Sequence, residues 1–333
     1  MIIEELKAMV EIDSTSGRED RFAQYIVDQL SLPGGELKKQ PVEGEIVNLF
    51  YSWGIPEIIF CTHLDTVPPF IAPTIDGDRL YGRGACDAKG QIVAAINVCR
   101  ELYSEGESNF GLLLLAGEEV GSKGAKVANR LIEGCRFVIV GEPTENKLIK
   151  AGKGVELYEI EIAGKSAHSG YPHLGENAIE RMGEFLNRLA NIKFPHDPLL
   201  GETTYNIGEL SSPNPYNVIS NFLSFKLYFR TTFASHPLVE ELLQGIAQPH
   251  TTIKVKHKEM PMRFHYIEGF DAGVVAYGCD APSLTNLGEP LLYGPGSITT
   301  AHTNGEYIDI NEIKRAVKDL KKIYKTLKSS KDE

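Results

Sequence analysis

Two histidines and five acidic residues of this 333-residue chain stand where side chains do chemistry rather than where charge is simply solvated. His63 and Asp65 close the strand-like run Ile58-Ile59-Phe60-Cys61, Glu118 and Glu119 follow the apolar run at 110–116, and Glu142 follows Phe137-Val138-Ile139-Val140. His302 lies near the C-terminus in Ala301-His302-Thr303. Asp87 sits in Gly82-Arg83-Gly84-Ala85-Cys86-Asp87-Ala88-Lys89-Gly90, a glycine-rich turn before an apolar helix. A carboxylate fixed in such a turn is well placed to hold a metal or a ligand. Two divalent ions close together need a shared carboxylate, imidazoles or further carboxylates on each side, and an open position for water. The assignment is Asp87 as the bridge, His63 and Glu142 on one ion, and Glu119 and His302 on the other. Asp65 then holds the His63 imidazole and sets its tautomer. Glu118, left without a metal, suits a general base that takes a proton from water. Each piece alone is weak, because a lone histidine is usually structural and a Glu-Glu pair usually solvated. The order and context of all of them together carry the reading.

The elements that must position these groups follow from periodicity. Helical spacing is expected at 4–10, 18–30, 91–103, 122–132 and 311–327, and strands at 47–51, 57–62, 110–116 and 137–140. Strands alternating with helices define an α/β class, a central mixed sheet with helices on both faces, and ligands on such sheets gather beyond the carboxyl ends of strands. Between residues 153 and 259 the order becomes strand, helix, strand, strand, helix, strand, which is the ferredoxin-like pattern. The expected organisation is therefore a metal-binding domain at 1–152 and 260–333, with α/β texture returning at 271–277 and 283–287, and an inserted domain at 153–259.

Composition narrows the function classes. A hydrophobic content of 42% with 24% charged residues is ordinary for a globular protein. The net charge of −11 argues against a general nucleic-acid surface, which needs an excess of lysine and arginine. No run approaches membrane-spanning length, and no leader pattern opens the chain. Five cysteines without a Cys-x-x-Cys pair fit reduced thiols, so a cytoplasmic location is expected. Cys86 beside Asp87 is weighed as a ligand and set aside, since adjacent side chains rarely point the same way.

His-x-Asp after a strand, Gly-x-Gly-x-x-Asp-x-Lys-Gly, Glu-Glu, Gly-Glu-Pro-Thr and Ala-His-Thr, in this order, resemble the acetylornithine deacetylase, succinyl-diaminopimelate desuccinylase, aminoacylase and carboxypeptidase G family of co-catalytic zinc hydrolases. The resemblance implies a zinc-peptidase-like fold, two zinc ions per chain with cobalt as a substitute, and the same roles for His63, Asp87, Glu118, Glu119, Glu142 and His302. It also implies a homodimer paired through the inserted domain. Gly164-Lys165-Ser166-Ala167-His168-Ser169-Gly170 resembles the segment whose histidine steadies the oxyanion in the partner's active site. Asn217 and Arg230 match substrate-contacting positions, the arginine suited to clasp an α-carboxylate. Gly294-Pro295-Gly296-Ser297 resembles a loop that lines the carboxylate pocket through backbone N–H groups, Gly296 among them. The chain departs from the family pattern at Tyr228, where an aspartate usually stands two residues before the arginine. The implied substrate is a small N-acyl amino acid, N-acetylornithine first. Succinyl-diaminopimelate or carrier-protein-linked lysine and ornithine come next, then dipeptides and carboxypeptidase substrates. A non-catalytic amino-acid-binding relative is the alternative from a different class.

Overall fold

The protein is described from a computed structural model covering residues 2–30, 32–132 and 134–330. In chain order the elements are α1 (Ile2–Val10), α2 (Asp20–Gln29), β1 (Glu36–Glu43), β2 (Ile46–Trp53), β3 (Ile58–His63), β4 (Thr74–Asp76), β5 (Arg79–Tyr81), α3 (Gly90–Ser104), β6 (Phe110–Leu115), α4 (Lys123–Ala128), β7 (Phe137–Val140) and β8 (Leu148–Gly152). There follow β9 (Gly154–Ala163), α5 (Ala178–Ala190), β10 (Thr204–Ser211), β11 (Phe222–Thr231), α6 (Val239–Ile246), β12 (Thr251–Glu259), β13 (Met262–Arg263), β14 (Ala272–Val275), β15 (Glu289–Leu292), β16 (Tyr307–Asp309) and α7 (Ile310–Ser329).

β3, β6 and β7 are buried at every position, which is why they read as unbroken apolar runs rather than as alternating ones. They are the centre of a six-stranded mixed sheet of order β1-β2-β6-β3-β7-β15. β3 runs parallel to β6 and to β7, and β7 parallel to β15, so four neighbouring strands end on the same side. β1 and β2 run antiparallel at one edge. One face packs against the apolar stripes of α1, α2, α3 and α7, where Ile313, Val317, Leu320, Ile323, Tyr324 and Leu327 meet Phe60, Phe110 and Leu112. On the other face Asn48 of β2 joins α4, donating to the Gly124 carbonyl at 2.9 Å and accepting from the Ala116 N–H at 3.0 Å.

The chain divides into two compact units. The larger contains the described residues up to Lys150, Phe264–Gly273 and those from Cys279 onward; the smaller contains Ala151–Arg263 and Val274–Gly278. The smaller unit therefore takes in a few residues more than 153–259, and part of the stretch at 271–277 folds with it rather than with the larger unit. Its antiparallel sheet has the order β10-β11-β9-β12. Met182, Phe185 and Leu189 of α5 and Val239 and Leu243 of α6 pack on Tyr158, Ile160, Phe225 and Leu227 of that sheet.

Three expectations differ from the structure. The helix at 122–132 is the shorter α4, since Ser122 takes a left-handed φ of 55° and Asn129 caps the other end. The α/β texture expected at 283–287 begins later, because Asp280 and Pro282 open a single 3-10 turn over Ala281–Ser283 and the strand of this region is β15. β1 was not expected at all: its lysines, glutamates and Pro41 lie on an edge and carry no apolar signal.

Candidate metal centre

The four parallel strand ends deliver the chemistry. β3 ends on His63, level with Leu115 at the end of β6, and the chain leaving β6 reaches Glu118 and Glu119. Val140 ends β7 two residues before Glu142, and its partner Leu292 ends β15, from which the chain runs to His302. Asp87 arrives from the turn before α3, where Gly84 has φ 81°, and the Asp87–Ala88 peptide is cis. His302 has φ 61°, a conformation uncommon for a side chain of this size.

These loops bring the expected groups together. Donor atoms of His63, Asp87 and Glu142 lie within 4.8 Å of one another, as do those of Asp87, Glu119 and His302. The two triads share Asp87. His63 Nε2 is 3.0 Å from Asp87 Oδ1, and His302 Nε2 is 3.3 Å from Asp87 Oδ2 and 2.9 Å from Glu119 Oε1. Glu118 lies within the same reach of His63 and Glu119.

The donors themselves fit a pair of divalent cations. His63 Nδ1 faces the Asp65 carbonyl at 2.9 Å, and a carbonyl only accepts, so Nδ1 carries a proton. Nε2 faces a carboxylate that also only accepts, which demands either a second proton or a cation between them. Accordingly the His63 imidazole is held well above its ordinary range: burial opposes the charge, but Asp65 and Asp87 outweigh it. His302 is raised to about 10 by Asp87 and Glu119. Burial pushes the Asp87 carboxyl up, yet hydrogen bonds from His302 and His63 pull it below the usual carboxylate range. Burial and like charge hold Glu118 and Glu142 well above that range. Four carboxylates facing two imidazoles form a surplus of negative charge in a buried place, which a cation relieves. Carboxylate oxygen and imidazole nitrogen are donors that zinc accepts.

A second layer fixes these groups. Asp65 is fully buried, and besides flanking His63 its carboxylate accepts the Glu118 N–H at 2.9 Å, the Glu119 N–H at 3.2 Å and the Ser16 hydroxyl at 2.7 Å. One aspartate thus fixes the backbone from which both adjacent glutamates project. Two participants were not foreseen from the sequence. Glu306 Oε1 accepts the N–H groups of Cys86 and Asp87, each at 3.1 Å, while Oε2 pairs with Arg83 at 2.5 Å. It ties the Asp87 turn to the loop that carries His302. Asp280 is buried with Oδ1 unpartnered, and burial pushes its carboxyl up to about 7 amid the charges of His63, Asp65 and Glu119. Neither follows a long apolar run, the signal that marked His63, Glu119 and Glu142, and neither lies in a glycine-rich turn like that of Asp87.

The remaining expected residues stand elsewhere. His168 is exposed in the smaller unit, its segment bridged to Val218; its Nδ1 accepts the Gly170 N–H at 3.0 Å, which leaves Nε2–H as the donor of the neutral ring. Asn217 is exposed, and its carbonyl accepts the Ser169 N–H at 3.0 Å. Arg230 lies with its guanidinium 4.9 Å from the centre of the Tyr228 ring, so an aromatic face supports it where an aspartate was expected. Gly296 departs from expectation: it is buried, with its N–H donated to Glu312 Oε2 at 3.2 Å, and a Cβ there would meet Cys86 Sγ at 2.6 Å. Its N–H is committed within the protein, and the close packing explains the glycine.

An α/β sheet whose parallel strand ends gather carboxylates and imidazoles in this way is the frame of a metal-dependent hydrolase. Residues 59–326 match the peptidase family M20/M25/M40, and the chain belongs to that family. It is 33% identical to a peptidase M20 domain-containing protein of Schizosaccharomyces pombe, over 92% of this chain and 80% of that one. It is 32% identical to a probable carboxypeptidase of Aspergillus clavatus, over 95% and 80%. The same fold occurs in a tripeptidase of Staphylococcus aureus (TM-score 0.83, 18% identity, 97% and 96% covered). It occurs also in a metallo-carboxypeptidase of Sulfolobus solfataricus (TM-score 0.74, 18% identity, 96% and 97% covered). The protein is thus an enzyme of the metallopeptidase class, acting on amide bonds.

Proposed function

We propose that the protein hydrolyses the amide bond between an acyl or peptidyl group and an amino acid with a free α-carboxylate, using two divalent cations held by His63, Asp87, Glu119, Glu142 and His302. The observation that carries this reading is the pair of triads sharing Asp87, with Glu118 beside them. When bound there, zinc polarises the amide carbonyl and makes water acidic enough to attack near neutral pH. Glu118 takes the proton from that water and later gives it to the departing amine. Asp65 keeps Glu118 and Glu119 at their separate tasks through the two backbone N–H groups that it accepts. As the family resemblance implies, His168, whose Nδ1 accepts the Gly170 N–H, would use Nε2–H to steady, in the partner's active site, the oxygen on which charge builds. Arg230 grips the α-carboxylate, its guanidinium carried on the Tyr228 ring.

Within this class the resemblance puts N-acetylornithine forward, and the relatives named as carboxypeptidases put peptides forward. Pairing of two chains through the smaller unit belongs to the same proposal and is read by sedimentation. The test of the reaction is a panel of N-acetylornithine, N-acetyllysine, succinyl-diaminopimelate, carrier-linked lysine, dipeptides and free aminoacyl amides, assayed with zinc, with cobalt and after chelation. Metal-dependent release of an amino acid from acylated or peptidyl substrates is expected. Cleavage confined to free aminoacyl amides would make the protein an aminopeptidase, and well under one ion per chain after reconstitution would leave a binding protein.

A further inference from the structure

Beside Glu119 the larger unit opens into a cleft of about 530 Å³, lined on one side by the loop at 13–18 and on the other by Val67, Pro68, Pro69, Phe70 and Val120. Phe70 is 41% exposed and Val120 52% exposed. Its polar side chains are already engaged. Arg18 pairs with Asp13 at 3.2 Å, Thr15 Oγ1 also donates to Asp13, Ser16 Oγ donates to Asp65, and Glu119 faces His302. The side formed by Val67, Pro68, Pro69, Phe70 and Val120 is apolar, and an apolar wall faced by a few polar groups inside a concave site is how small-molecule sites are built.

We infer that this cleft is the acyl subsite, and that it takes a bulky, uncharged, apolar acyl group or peptide residue rather than acetyl. The inference rests on the amide-hydrolase reading and names its substrate class. Glu119 is common to the cleft and to the second triad, so a scissile amide at the triads puts one of its flanks against this wall. The flank is the acyl one, because the lining residues carry two carboxylates, Asp13 and Glu119, against one cation, Arg18, which Asp13 already offsets at 3.2 Å, a balance that disfavours an α-carboxylate. Size argues against acetyl, whose few heavy atoms occupy only a small part of a cleft of about 530 Å³ and would leave most of it wet.

The test holds the leaving amino acid constant and varies the acyl group, comparing N-acetyl-, N-butanoyl- and N-(3-phenylpropanoyl)-alanine, then holds acetyl constant and varies the amino acid. We expect kcat/KM at least tenfold higher for 3-phenylpropanoyl than for acetyl. Phe70→Ala should cut that ratio about tenfold, chiefly through KM. Binding of 3-phenylpropanamide, with acetamide as control, is read by ligand-observed NMR on chelated protein, wild type and Phe70→Ala. It should be seen in the wild type and be weakened in the variant. Equal rates across the acyl series, a ratio that Phe70→Ala leaves alone, or a preference that follows the amino acid instead would each overturn the subsite. Absence of any hydrolysis while the amide still binds in a Phe70-dependent way would remove the hydrolase reading and the acyl role with it, leaving an apolar binding cleft; hydrolysis without such binding would remove the subsite alone.

Discussion

Asp87, shared between two histidines, shows how little freedom a residue keeps once its backbone is held as well as its carboxylate. Its N–H and that of Cys86 both end on Glu306, and the same glutamate is neutralised by Arg83. Glu306→Gln keeps the shape but sets an amide against the guanidinium, so the turn loosens while the donors remain. We expect cation affinity, measured by titration of chelated protein, to weaken about 10- to 100-fold, the usual effect of removing a ligand's support. Affinity within twofold of wild type would show that Glu306 only fills space. Glu118→Gln is the complementary case, since it removes the proton carrier and none of the five donors. It should bind cations as the wild type does and lose turnover about 10²- to 10⁴-fold, read by metal analysis and kcat together. The sequence put forward His63, Asp87, Glu119 and Glu142 because each lies at a run or turn whose end is visible in residue types, and His302 through its place in the order of motifs. Glu306 and Asp280 act through backbone N–H groups or through charge at a distance, and no local pattern records that.

Elements were legible where burial was complete or amphipathic. β7 lies at the residues expected, and α7 is longer than expected by one residue at one end and two at the other. β1 was hidden because an edge strand protects itself with the charged residues that also mark loops. The sheet of the smaller unit shows the same logic with a measurable consequence. Glu159 on β9 lies between Lys226 of β11, at 2.9 Å, and Lys256 of β12, at 3.1 Å. These hydrogen bonds hold its carboxyl down at about 2, against an ordinary 4.5. A carboxyl depressed in the folded state contributes stability above its unfolded value and loses it as pH falls toward its folded one. Wild type should therefore melt above Glu159→Gln at pH 7, with the gap shrinking below pH 4.5 and in high salt, since the group is poorly shielded from solvent. A gap unchanged between pH 7 and pH 3, followed by circular dichroism, would mean that packing rather than charge is what the glutamine disturbs.

At the scale of the whole molecule, every donor of the two triads, together with Asp65, Glu118, Glu306 and Asp280, belongs to the larger unit, although these residues span the chain from 63 to 306. The smaller unit has a core of its own, built from α5, α6 and the inner face of its sheet. A ligand that binds only a folded site stabilises what must fold to form it, by RT ln(1 + [L]/Kd). With free zinc at a thousand times Kd this is about 4 kcal/mol, and for a unit of 150–250 residues each kcal/mol moves the melting point by about 2–4 °C. Calorimetry of the full chain with zinc and after chelation should then show a transition of the larger unit displaced by about 8–16 °C, and one of the smaller unit displaced by under about 1 °C. Assigning the two needs only Leu227→Ala, a core truncation that should lower the smaller unit's transition, at a cost of about 2–5 kcal/mol, without moving the zinc response. Equal displacement of both transitions by zinc would place a cation ligand in the smaller unit, and no displacement of either would mean that the two triads bind no cation.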